Sequence, residues 1–149
     1  MGTVNSKKKN NLKKKKLETY VPNLYNISVI KVYDGDTITI SAKVSRFSSK
    51  YYKWSVRFRG IDTPEIKGKS QEEKDAAVKA RDALSSKILN KKILLKNISY
   101  DKYGRLLADI YLNTLCLNSW MLNNRYAVEY NGGTKQLPVS WKNYQDNKI

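Results

Sequence analysis

The chain has 149 residues, of which 29 are Lys or Arg, 13 are Asp or Glu and none is His, a length that suits one domain around one hydrophobic core. Without His there is no Ser-His-Asp triad, no imidazole base and no His-ligated metal, and the one cysteine, Cys116, excludes an internal disulfide and a Cys-rich zinc site. Residues 1–16 hold seven Lys and no acid, yet the formal charge of +16 still leaves +9 on the remainder, a self-repelling surface that favours an anionic partner: nucleic acid first, an anionic membrane surface second.

Residues 1–20 read as a disordered basic arm, because like charges repel and over 1–18 only Val4, Leu12 and Leu17 could pack. Residues 21–149 are expected to form the folded domain. From Asn26 to Tyr33 β-branched residues predict a strand. Asp34-Gly35 is a turn signal, and 36–44 alternates again. A polar connection over 45–51 leads to a third strand, 52–61. Its alternation puts Trp54, Val56, Phe58 and Gly60 on one face and Lys53, Ser55, Arg57, Arg59 and Ile61 on the other.

Ser70 to Leu89 is expected to be a helix. Ser70 and Glu73 make a capping-box pattern, and Ala77, Ala80, Leu84 and Ile88 form one apolar stripe. Strands over 91–99 and 105–112 flank a turn at 100–104, and a short helix over 118–125 turns Leu117, Trp120 and Met121 inward. The end, from Asn131, reads as a loop with one helical turn near Trp141. Five short strands, with one helix after the third and another after the fifth, predict an α+β fold built on a small closed β-barrel. No apolar run approaches the ~18 residues of a transmembrane helix, and no N-terminal apolar stretch reads as a secretory signal.

Three segments at strand ends carry the chemistry. The acids Asp34, Asp36, Asp62 and Glu65 fall in two of them, Asp34-Gly35-Asp36-Thr37 and Arg57 to Glu65. Gathered in one cleft of so basic a chain, they would make an oxygen-lined site for a hard cation; the first tetrapeptide also fits an Asx-type hairpin turn. Arg57 precedes Asp62 by five residues, a spacing that puts the two on opposite faces unless the strand ends, twists or bulges near Gly60. Arg105 follows the turn Asp101-Lys102-Tyr103-Gly104. An arginine fork matches phosphate oxygens, though each arginine alone also fits a solvated face or a carboxylate pair.

Taken together and in this order, DGDT, RFRGIDTPE and KYGR resemble the staphylococcal nuclease (thermonuclease, SNase-like) family, over about residues 27–130. The resemblance implies an OB-fold five-stranded β-barrel with two to three packed helices. It implies a monomeric, Ca²⁺-dependent endonuclease that acts on DNA and RNA, prefers single strands and leaves 3′-phosphate and 5′-hydroxyl ends. On this chain, Asp36 and Asp62 would ligate Ca²⁺ through carboxylates and Thr63 through its backbone carbonyl. Glu65 would be the general base, directly or by orienting the attacking water, and Arg57 and Arg105 would hold the scissile phosphate and stabilise its transition state. Lys102 and Tyr103 would contact a terminal phosphate, and Tyr130 would stack on the nucleotide. Water attack with a carboxylate base and two arginines needs no His, in keeping with the composition.

Two departures from the family stand out. The connection over 41–53 is long and carries Arg46, Phe47, Lys50, Tyr51 and Tyr52; it fits a lip that stacks bases and equally an exposed hairpin loop. The C-terminal region is short of the family's last long helix. Cys116 reads as a small core residue. At the other end, Met1-Gly2-Thr3-Val4-Asn5-Ser6 fits the N-myristoylation pattern, which makes Gly2 a lipidation candidate in a eukaryotic cell. The lysines that follow would be the second membrane signal. The expected localisation is intracellular, at a membrane if Gly2 is acylated or nuclear if the arm serves as an import signal. The rival functions are a non-catalytic nucleic-acid-binding module and a membrane-surface adaptor.

Overall fold

The structure, a computed structural model, describes residues 17–147; the basic residues 1–16, and with them the expectation at Gly2, lie outside the described residues. Residues 17–20, the rest of the expected arm, are exposed and outside regular structure. The elements in chain order are β1 (Tyr25–Val32), β2 (Thr37–Lys43), β3 (Tyr52–Phe58), β4 (Ile61–Asp62), α1 (Gln71–Ile88), β5 (Leu94–Tyr100), β6 (Leu106–Leu112), β7 (Leu115–Cys116), α2 (Leu117–Asn123), β8 (Val128–Glu129) and α3 (Trp141–Gln145).

The main sheet runs β1-β2-β3-β6-β5, with β7 folded back on β6 and β3 parallel to β6; β4 and β8 pair separately. The run that enters β5 lies along β1: Asn90 N–H donates to Val29 O, Val29 N–H to Lys91 O and Ile93 N–H to Ile27 O. These bonds bring the two edges of a mostly open sheet together, as the α+β, OB-type architecture requires. Asn26 and Asn97 hold left-handed backbone, φ 51° and 53°, at the irregular registers of β1 and β5. The alternation of β2 buries Ile38, Ile40 and Ala42 and turns Thr37, Thr39 and Ser41 outward. The inner faces of the strands meet the α1 stripe of Ala77, Ala80, Leu84 and Ile88, all fully buried, and Leu117 and Met121 of α2.

Ser70 caps α1, its Oγ accepting from Glu73 N–H at 3.1 Å. Glu73 does not return the bond. Its carboxylate accepts instead from Lys69 N–H at 3.3 Å and Glu65 N–H at 3.4 Å, tying the loop that bears Glu65 to the helix.

The strand expected over 52–61 stops at Phe58. Gly60 takes φ +78°, a conformation that L side chains avoid, and the chain restarts as β4. The alternation is thereby reset: Ile61, expected on the polar face, is 1% exposed, and Gly60, expected inward, is exposed. The end of the chain is also better anchored than a loop. Trp141 is buried, Tyr144 Oη donates to Ala127 O at 3.0 Å and Gln145 Nε2 to Ala76 O at 2.9 Å. Among the described residues no helix is long and apolar enough to cross a membrane.

Candidate active site

The site gathers at the end of the barrel where β1 turns into β2 and β3 turns into β4. The Asp34–Thr37 turn is closed by Tyr33 N–H on Thr37 O at 3.0 Å, and Asp34 Oδ1 accepts Asp36 N–H at 3.1 Å. The Asx-type turn therefore forms, and it presents the Asp36 carboxylate inward, 5% exposed. Asp36 Oδ2 accepts both Thr63 N–H (3.1 Å) and Thr63 Oγ1 (2.9 Å), and Oδ1 accepts Thr37 Oγ1 (3.0 Å). A methyl at Gly35 would meet Thr63 Cγ2 at 2.9 Å, so the two motif turns pack directly on each other.

Because the strand ends at Phe58, Arg57 and Asp62 converge. Arg57 Nη1 donates to Phe58 O at 3.0 Å and Ile61 O at 2.9 Å, carbonyls on either side of the Gly60 corner. Its guanidinium lies 3.2 Å from both Asp36 Oδ2 and Asp62 Oδ1. Asn118 supports the same corner from α2: its Nδ2 donates to Arg59 O at 2.8 Å and its Oδ1 accepts Ile110 N–H at 2.9 Å.

The Asp101–Arg105 turn is built around one carboxylate. Asp101 Oδ1 accepts Tyr103 N–H (2.9 Å) and Arg105 N–H (3.0 Å), and Oδ2 accepts Arg105 Nε at 2.6 Å. Gly104 takes φ +81° within it. Burial alone would raise the Asp101 carboxyl, but the Arg105 side chain and the two backbone donors hold it below the usual carboxylate range. It holds Arg105 through Nε, and among the described residues no hydrogen bond engages the two terminal guanidinium nitrogens.

Two clefts meet at the arginines. One, of about 380 Å³, is lined by Asp34, Asp36, Asp62, Thr63 and Glu65 together with Arg57 and Arg105. The other, of about 350 Å³, is lined by Lys102, Tyr103 and Tyr130, again with Arg57 and Arg105. Every residue expected at the site from Asp36 onward therefore falls in one of two adjoining clefts. Tyr126, four residues before Tyr130, lies outside both clefts and packs against Trp120, ring centres 5.8 Å apart.

Lys135 was not foreseen. It reaches from the 131–140 loop to Asp62 Oδ2 at 3.2 Å and Glu65 Oε1 at 3.4 Å. A lone lysine in a polar loop carries no sequence signal for this. Asp101 did carry one: an Asp four residues before an Arg with Gly between reads as an Asx-closed turn. Arg59 is anchored elsewhere, donating to Asn97 O, to Ser99 Oγ at 2.9 Å and to Leu107 O at 3.3 Å.

The carboxylates are under electrostatic strain. Burial, then the charge of Asp36, pushes Asp34 up to about 7. Burial first raises Asp62, with the charge of Asp36 adding to it, against the pull of Lys135 and Arg57. Burial first, and repulsion between carboxylates after it, thus disfavour the charged forms of Asp34 and Asp62, which is a condition a bound cation would relieve. The donor set is all oxygen and suits a hard cation such as Ca²⁺. Among the described residues no group of three or more acidic, His or Cys side chains is arranged to hold a metal unaided. Asp36, Asp62 and the Thr63 carbonyl fit such an ion only as a partial shell, to be completed by water and phosphate oxygens.

Known proteins resemble this chain. Residues 55–145 match the family model described as staphylococcal nuclease homologue. Two proteins of Oryza sativa subsp. japonica, named probable staphylococcal-like nucleases CAN3 and CAN2, are each 36% identical over 78 residues, 52% of this chain. The chain spans 19% and 20% of the length of these two relatives.

Proposed function

The chain belongs to the staphylococcal nuclease homologues, and from that premise we propose that it is a Ca²⁺-dependent endonuclease of DNA and RNA, with a preference for unpaired strands. The observation that carries the reading is that Arg57 and Arg105 stand on the boundary shared by a carboxylate cleft and a basic, aromatic cleft. A phosphodiester lying across that boundary has donors on its equatorial oxygens, carboxylates on one side and room for a nucleoside on the other.

The chemistry follows from those positions. Asp36, Asp62 and the Thr63 carbonyl hold the cation; when bound, Ca²⁺ supplies Lewis-acid polarisation of a phosphoryl oxygen. Glu65, at the mouth of the carboxylate cleft, takes a proton from the attacking water. The new P–O bond forms as the bond to the 5′-oxygen breaks, and that oxygen takes a proton from solvent, leaving 3′-phosphate and 5′-hydroxyl ends. Arg57 and Arg105 act where charge grows on the phosphoryl oxygens, and groups placed in this way are worth ~2.7–4 kcal/mol of barrier each. Arg57 has five N–H groups, of which three serve Phe58 O, Ile61 O and Asp62; the remaining two address the phosphate. Tyr103, Lys102 and Tyr130 receive the neighbouring nucleotide and its phosphate.

Digestion of heat-denatured DNA with Ca²⁺, with chelator, and with Glu65→Ala and Arg57→Ala proteins tests the reading. Cleavage should require the ion and fall by about a hundredfold or more in either variant. An Arg57→Ala protein within tenfold of the parent's turnover removes the assignment, and binding without cleavage under any divalent ion leaves a binding module.

A further inference from the structure

The outer face of the β1–β3 meander carries a row of donors that starts at the two clefts and runs beyond them. On β2, Thr37, Thr39 and Ser41 point outward. Opposite them on β3 stand Arg57, Ser55 and Lys53, and Lys31 of β1 flanks Thr39 on the other side. Thr37 and Ser55 also line the carboxylate cleft, so the row begins in the candidate active site. It ends at Lys43, six residues along β2, a distance of about 20 Å at the rise of a strand.

At that far end lies the 44–51 loop. Phe47 is 99% exposed and Tyr51 is 53% exposed. The Arg46 guanidinium sits 5.3 Å from the centre of the Tyr25 ring, and Lys43 Nζ 5.1 Å from that of Tyr51. Residues 19–33 and 37–61 contain no Asp or Glu, so nothing on these three strands neutralises the row.

We propose that this row is an extended track for single-stranded polynucleotide, running from the scissile phosphate to the aromatic loop. It rests on the nuclease reading for its starting point alone. Hydroxyls and lysines bind phosphate oxygens without regard to sequence. Exposed rings such as Phe47 and Tyr51 stack on any base, and interleaved cations strengthen that contact. The geometry favours a polymer over a lipid surface: a bilayer would use only the cations that flank the aromatic tip, Lys43, Arg46 and Lys50, whereas Lys53 and Lys31 continue the row along the strands towards the cleft.

The test is binding of fluorescein-labelled oligothymidylates to the full chain in chelator, using lengths of about 4 and about 16 nucleotides, the range that OB folds occupy. The longer strand should bind about tenfold more tightly or better. The double variant Phe47→Ser, Lys53→Ser should lose most of that advantage, and the salt slope of its long-strand binding should fall by about 0.7 for the one lysine removed. Its affinity for the short strand and its thermal midpoint should stay at parental values, since both side chains are exposed. Equal weakening of both lengths, or of neither, overturns the track. So does a variant that stops pelleting with phosphatidylserine vesicles while its long-strand affinity is unchanged. Cleavage with no length advantage refutes the track and leaves the nuclease; a loop-dependent length advantage without cleavage under any divalent ion refutes the nuclease and leaves the track.

Discussion

Replacing Asn118 by Ala should damage the fold and the site together. Asn118 is 6% exposed and links three stretches of backbone: it accepts from Ile110 N–H and donates to Arg59 O and, at 3.3 Å, to Ala108 O. Ala108 O keeps a second partner, Arg59 N–H at 2.9 Å, so it stays satisfied. Ile110 N–H and Arg59 O each lose their bond to the amide, and alanine offers nothing in return. A buried group stripped of its partner costs ~1–3 kcal/mol, so the pair should cost about 3–4 kcal/mol. Against a total of ~5–15 kcal/mol that is a large fraction, and it corresponds to a midpoint lowered by roughly 10 °C. Urea titration followed by tryptophan fluorescence reads the loss directly, with the slope unchanged if only stability has moved. Arg59 O immediately precedes Gly60, so cleavage well below the melt should also fall. A loss of less than about 1 kcal/mol would refute the claim that this amide holds the corner.

Two further outcomes follow from the same geometry. Gly60→Ala places a Cβ on backbone at φ +78° with nothing within 4 Å of it; the cost is therefore conformational, about 1–2 kcal/mol in a thermal melt. Cleavage should drop by more than that loss explains, because the corner aligns Asp62 with Arg57. Asp101→Asn keeps the two backbone bonds and loses the charge facing Arg105, so turnover should fall about tenfold with little change in fold. Asp101 is held below its ordinary value in the folded chain. Its contribution to stability is therefore complete above the unfolded carboxylate value of ~3.9 and is lost as pH falls through the lower folded value. The parent should lose stability over that acid window more steeply than the Asn variant, as melts between neutral and strongly acid pH will read.

The parts of this fold that the sequence makes legible are those with a period. The alternation of β2 and the three-to-four spacing of Ala77, Ala80, Leu84 and Ile88 report burial directly, because one face of each meets the core. β4 and β8 have two residues each and pair across more than sixty positions; no local pattern encodes such a contact. The same holds for α3, five residues long, whose place depends on where Ala76 and Ala127 present their carbonyls. The site was legible as motifs and not as geometry. Alternation alone sets Arg57 and Asp62 on opposite faces, and only the glycine between them hinted that the rule would break. Lys135 arrives from a loop seventy residues beyond Glu65, and its position follows from the path of the docked tail.

The left-handed asparagines have a consequence beyond local geometry. Asn26 and Asn97 lie on the outermost strands of the main sheet, one on β1 and one on β5. In the folded chain residues 90–93 cover the β1 border by pairing with Ile27 and Val29, so the kinks matter before that closure, when each interrupts the row of N–H and C=O groups that a straight border would offer to a second chain. A β-branched residue at either position would favour a flatter border, ready to template intermolecular pairing while the barrel is still assembling. Exchanging these two residues should therefore be felt first as concentration-dependent aggregation on refolding.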